Sequence, residues 1–217
     1  RSASELAPAC ATPPTDALPL NSSTRNALPS TVSERPDFTD RIEHVRWVLA
    51  QHQAPMFALL DAARHDMVLP TILQSGLTHR SLYEGWQGEG LSDVAPYLVE
   101  VPPDAPFLDA ILELGWGDSW GTFLFTTEDF FSVRRHLRRF LKVQSEDGKR
   151  LLFRFYDPRV LRGYLPTCTP DELAAFMGPI SWWVTEGPHG ETLLRFTRGD
   201  DGVRCDTEPL PEAPPER

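Results

Sequence analysis

The hydrophobic positions of this chain change period repeatedly along its middle two thirds. Phe38, Ile42, Val45 and Leu49 fall at the interval of one helical face, and Asp37 is placed to cap that helix. Pro55 stops it, and the apolar run of residues 56–60, closed by Asp61, predicts a buried strand. Helical spacing returns at Leu69, Ile72 and Leu73, ending at Gly76, and residues 96–101 read as a strand stopped by Pro102 and Pro103. Phe107, Leu108, Ile111 and Leu112 predict a short helix ending at Gly115. Residues 122–125 read as a strand, followed by a helix from Glu128 to about Leu141 with Thr126 or Thr127 as cap. Residues 151–156 read as a strand after the Glu146-Asp147-Gly148 turn. Pro170-Asp171-Glu172 then opens a helix carrying Leu173, Phe176 and Met177. Residues 182–184 and 193–196, split by Gly187 and Gly190, read as a hairpin. This alternation predicts an α/β fold: a mixed, mostly parallel sheet flanked by helices, with an antiparallel C-terminal hairpin.

Proline sets the expected limits of the fold. Of 21 prolines, six lie in residues 1–36 and four in residues 209–217. The first stretch has small polar residues and no apolar period, and the last is acidic, so both are expected to be disordered tails. The expected division is a tail over 1–36, an α/β domain over 37–199 and an acidic tail over 200–217. At 217 residues with 41% hydrophobic positions, the chain can bury a real core. Its apolar runs are too short for a membrane span. A net charge of −10 argues against a general nucleic-acid binder, which needs cations to displace phosphate counterions. Three scattered cysteines, Cys10, Cys168 and Cys205, fit a reducing compartment, so a cytoplasmic location is expected. No leader is visible after Arg1, although one removed ahead of it stays open.

The residues offer little catalytic chemistry. The six histidines form no H-x-x-x-H pair and have no C-x-x-C partner, so no metal site is expected. No nucleophile elbow, phosphate loop or dinucleotide turn is present, and no cofactor is expected. The glycine-rich run 85–90 lacks the Lys-Ser/Thr of a phosphate loop and reads better as a surface turn. Asp61 and Asp157 each close an apolar run, where sites of open α/β sheets gather. Paired, they could serve a small metal-dependent hydrolase as acid and base or as cation ligands. The structural alternative is stronger: Asp157-Pro158-Arg159 is helix-capping chemistry, and Arg64 and Arg159 are near enough in sequence to pair with the aspartates. Trp116/Trp120 and Trp182/Trp183 read as core first and docking surface second. Arg134, Arg135, Arg138 and Arg139 crowd one helix opposite its apolar face of Phe130, Val133, Leu137 and Leu141. They read as a solvated face or as a stripe that docks an acidic partner.

A series of words is more specific than any one residue. LLDAAR (59–64), SLYEG (81–85), APYLVE (95–100) and GWGDSWG (115–121) are followed by LRRFL (137–141), FRFYDPRVL (153–161) and FMGP (176–179). Over roughly residues 55–183 this order resembles the domain-of-unknown-function 4123 family, the adaptor/chaperones of bacterial type VI secretion. The resemblance implies a non-enzymatic protein that binds a secreted effector in the producing cytoplasm and helps load it onto the spike protein. It implies neither a nucleic-acid nor a membrane partner, and it carries over no catalytic residue. The proline-rich start is outside the family pattern, and a large C-terminal helical lobe of the kind many relatives carry is not expected in these 217 residues.

Overall fold

The computed structural model describes residues 39–83, 90–144 and 149–212. Helix α1 spans Arg41–Ala50 and is capped by Asp40, whose carboxylate accepts the Glu43 N–H at 2.9 Å. Asp37, expected as that cap, lies outside the described residues. Strand β1 (Met56–Asp61) is buried at all six positions. Helix α2 (Val68–Gln74), the short strand β2 (His79–Ser81) and strand β3 (Pro96–Glu100) follow. Helix α3 (Pro106–Gly115) starts on a proline, which is pre-set for the first helical turn, and leads to β4 (Gly121–Phe125). Helix α4 (Phe130–Arg138) is capped by Asp129 rather than by Thr126 or Thr127. Two short strands, β5 (Lys142–Gln144) and β6 (Arg150–Leu152), form a separate ribbon. Helix α5 (Pro158–Tyr164) is capped by Asp157. Helix α6 (Pro170–Met177) has a full capping box between Thr169 and Glu172. Strands β7 (Trp182–Glu186), β8 (Thr192–Gly199) and β9 (Gly202–Pro209) complete the sheet.

The seven-stranded sheet has the order β2-β3-β1-β4-β7-β8-β9, and every neighbouring pair is antiparallel. The expected mostly parallel sheet is therefore wrong, and the connections show why. β3 and β4 both run antiparallel to β1 and flank it, so the α3 crossover joins two strands of like direction with β1 between them. The α2 crossover from β1 to β2 likewise passes over β3. The α2 and α3 crossovers do link strands of the same direction, as the alternation implied, but each skips one position and an antiparallel strand fills it. Helices α4–α6 join the antiparallel neighbours β4 and β7.

The sheet is covered on both faces, which explains why β1 is apolar without alternation. Met56, Ala58 and Leu60 face a core built with Val45 and Leu49 of α1, Ile72 of α2 and Ile111 of α3. Phe57 and Leu59 face the opposite core, built with Val133 of α4, Leu161 of α5 and Phe176 of α6. The strand expected over 151–156 stops at Leu152. Phe155 and Tyr156 are adjacent yet both buried, which a strand's period of two does not allow on one face. Phe155 leaves instead to meet Phe176 edge-on, with centroids 5.6 Å apart. Residues 202–209, placed by composition in the acidic tail, form β9, with Val203 and Cys205 packed on the α4–α6 core. Among the described residues no helix is long and apolar enough to cross a membrane.

Candidate functional site

The polar residues singled out by the sequence gather at the end of β1. Asp61 alternates to the α4–α6 side and is wholly buried. Its Oδ2 accepts from Arg154 Nη2 at 2.5 Å, and its Oδ1 accepts the Ala63 N–H at 3.1 Å. Arg154 also lies over the Tyr156 ring, 5.9 Å from its centroid. The sequence pointed to Arg64 as the partner of Asp61, but Arg64 Nε and Nη2 donate instead to the Asp118 carbonyl, at 3.3 and 2.9 Å. Arg154 is 93 residues away, and no local spacing identifies it.

Asp157 does what its Asp-Pro-Arg context suggested. It caps α5 by accepting the Arg159 N–H at 2.9 Å, with Pro158 at the first helical turn. Arg159 also grips the same carboxylate with Nε at 3.0 Å and Nη2 at 2.6 Å, a bidentate fork. Burial pushes the Asp157 carboxyl upward, but the Arg159 side-chain and backbone donors outweigh it and hold the group below the usual carboxylate range. Arg154 and Arg159 each sense both aspartates, so the four residues form one electrostatic unit.

A third carboxylate was not anticipated. Glu186, at the end of β7, is 2% exposed and accepts Gly117 N–H at 2.6 Å, Ser119 N–H at 2.9 Å and Ser119 Oγ–H at 3.2 Å. These donors come from the GWGDSWG word, where Gly117 (φ +101°) and Ser119 (φ +59°) take left-handed conformations that turn their amides inward. Burial raises the Glu186 carboxyl above its ordinary value despite these donors. Gly121 follows because a Cβ there would collide with the Leu59 carbonyl. Trp116 Nε1 donates to the Gly190 carbonyl at 3.0 Å, and Trp120 is 3% exposed. Trp183 is wholly buried, so the tryptophans serve chiefly as core. A charge ending an apolar strand was the available signal for Glu186.

The arginine stripe divides. Arg134 turns back to the Ser81 carbonyl with Nε at 2.9 Å and Nη2 at 2.7 Å, and Arg138 Nε donates to the Leu82 carbonyl at 2.9 Å. Both are half-buried and fasten the end of β2 to α4. Arg135 and Arg139 are exposed, the first on the Ser132 hydroxyl and the second on His136 Nδ1. The glycine-rich run 85–90 lies outside the described residues apart from Gly90.

A carboxylate that transfers protons near neutral pH needs both access and a raised affinity for protons. Asp61 is buried beneath Arg154, and Asp157 is held in the opposite direction by Arg159. Glu186 has the raised affinity, but backbone amides enclose it. Among the described residues no group of three or more His, Cys, Asp or Glu side chains is placed to hold a metal ion. No curated protein and no solved structure matches the chain. The family model described as domain of unknown function (DUF4123) matches residues 56–175, from the first residue of β1 into α6. That span holds Asp61, the GWGDSWG loop and the Asp157–Arg159 fork, and the chain belongs to the DUF4123 family.

Proposed function

We propose that this DUF4123 protein is a non-enzymatic adaptor. It binds a secreted effector in the cytoplasm of the producing bacterium and helps load it onto the spike protein of a type VI secretion system. One observation carries the reading: three of the words that carry the family resemblance build a structural lock. LLDAAR supplies Asp61, FRFYDPRVL supplies Arg154, Asp157 and Arg159, and GWGDSWG supplies the amides that hold Glu186. What the family words specify is a rigid scaffold whose polar groups face each other, the property of a protein that works through its surface.

Deleting the gene in its host tests this directly. Export of one effector encoded beside a spike gene is expected to stop, while export of other effectors continues. Normal export of every effector would refute the adaptor reading. The lock has its own control: Asp157→Ala should lower stability by about 0.5–2 kcal/mol through the lost cap. Its binding should weaken only in step with unfolding. A variant with native melting and abolished function would instead mark Asp157 as part of an active site.

A further inference from the structure

The ribbon formed by β5 and β6 is a separate two-stranded sheet, and it carries three of the exposed large hydrophobic side chains among the described residues. Val143 pairs with Leu151, and Lys142 with Leu152, in antiparallel register. Val143 is 39% exposed, Leu151 49% and Leu152 50%, and none of them belongs to either core. Directly opposed residues share a face of a ribbon, so Val143 and Leu151 form one aliphatic surface and Leu152 lies on the other. A two-stranded ribbon is marginal in water by itself. Its ladder continues one rung toward the domain, where the Phe153 N–H donates to the Leu141 carbonyl at 2.9 Å and the Leu141 side chain is buried.

The charge around it is unlike that of the rest of the chain. Eight of the 21 basic residues lie between Arg134 and Arg154, against two acidic ones, in a protein of net charge −10. Both lysines of the chain, Lys142 and Lys149, are in or beside the ribbon and exposed. The exposed arginines at the end of α4, Arg135 and Arg139, lead into it and form no ion pair among the described residues. Phe131, 66% exposed, is on the same helix.

We propose that the ribbon and the C-terminal end of α4 are the docking surface for an acidic, aliphatic-rich segment of the protein this adaptor carries, laid along the ribbon as an added strand. The aliphatic residues supply the contact area, and the surrounding cations select for carboxylates. A second copy of this chain is disfavoured as occupant because like basic patches would meet. The inference rests on the adaptor reading for the identity of the partner and on the ribbon for the place.

Incorporating a photoreactive residue at position 151 of the full chain, with position 73 on α2 as the exposed aliphatic control, tests it in the native host. The expected result is a crosslink from 151, and not from 73, to one peptide rich in Asp, Glu and aliphatic residues. A synthetic copy of that peptide should bind the purified chain. Its affinity should fall at least tenfold with Leu151→Thr plus Leu152→Thr, and comparably with Arg135→Gln plus Arg139→Gln. Melting should stay within a few degrees in both variants, and binding should weaken as salt rises. Crosslinks confined to 73, crosslinks to a second copy or to nucleic acid, or no crosslink at either site would overturn the proposal. An acidic peptide from a protein unconnected with secretion would keep the docking surface and refute the adaptor reading.

Discussion

Asp61 and Arg154 form a pair with very unequal surroundings. The Asp61 side chain is wholly buried, whereas the Arg154 side chain is 42% exposed. Removing either partner therefore has a different consequence. In Asp61→Ala the stranded guanidinium can be hydrated, and the loss is that of a charge-assisted hydrogen bond, about 1.5–3 kcal/mol. In Arg154→Ala a carboxylate is left unpaired in the interior, which costs about 3–5 kcal/mol. Urea unfolding of the two variants should rank Arg154→Ala as the more damaging, and equal losses would mean that Asp61 finds another donor. Glu186 makes a complementary case. It accepts three hydrogen bonds and donates none, so in Glu186→Gln an amide NH2 must face Gly117 N–H or Ser119 N–H. The expected loss is about 1–3 kcal/mol, the cost of leaving a buried donor unsatisfied. Tryptophan fluorescence of Trp116 and Trp120 should report the loosened loop.

At the scale of elements, α4 shows how one face of a helix can be read only in part from its sequence. Its apolar stripe correctly marks Phe130, Val133 and Leu137 as buried. The same wheel gives all four arginines to solvent, because it cannot register that β2 ends beside the helix and offers the Ser81 and Leu82 carbonyls. Arg134→Gln and Arg138→Gln should each destabilise by about 1.5–3 kcal/mol, as bonds from a charged donor do. Arg135→Gln should stay within about 0.5 kcal/mol of the parent. Thermal melting of the three single variants checks this, and three equal melting temperatures would return the whole stripe to solvent. Most other elements were legible for local reasons. A proline starts α3, α5 and α6, and a continuous apolar run marks β1. Strand direction was not legible, since a helix between two strands shows neither whether they run alike, as β4 and β7 do not, nor whether a third lies between them. β9 was hidden because an edge strand with one exposed face reads as polar: exposed Arg204 and Asp206 alternate with half-buried Val203 and Cys205. The Asp61–Arg154 pair was hidden by its sequence separation, whereas Asp157–Arg159 was visible because it is local.

For the molecule as a whole, the buried titratable groups set how stability changes with pH, and they do not all act in one direction. Asp157 is held below its ordinary value, so the stability it contributes is present at neutral pH and is lost as pH falls through its folded value, below 3.8. Glu186 is raised, so its contribution has the opposite sign: the folded state gains as pH falls and Glu186 takes up a proton. Two histidines lowered by burial, His136 and His52, act between neutral pH and these carboxylates, and His52 is shifted to about 4. Its ring is 4.4 Å from Phe125 and 4.1 Å from Trp182, and Nε2 is buried with no hydrogen-bond partner. Burial, aided by the Arg195 charge, lowers it from 6.5 to about 4. The unfolded chain therefore binds a proton near pH 6.5 that the folded chain refuses until about pH 4, and stability must fall as pH drops through that window. Because the ring is only partly buried, the loss is discounted for solvent screening to about 1–2 kcal/mol. His52→Phe keeps an aromatic ring between Phe125 and Trp182 and removes the orphaned nitrogen, so it should be at least as stable as the parent at neutral pH. Urea unfolding at pH 6.5 and pH 4 should show a smaller loss in the variant, by that same amount. Equal losses in the two proteins would show that His52 does not contribute to the acid response, which His136, also lowered by burial, and the carboxylates would then drive.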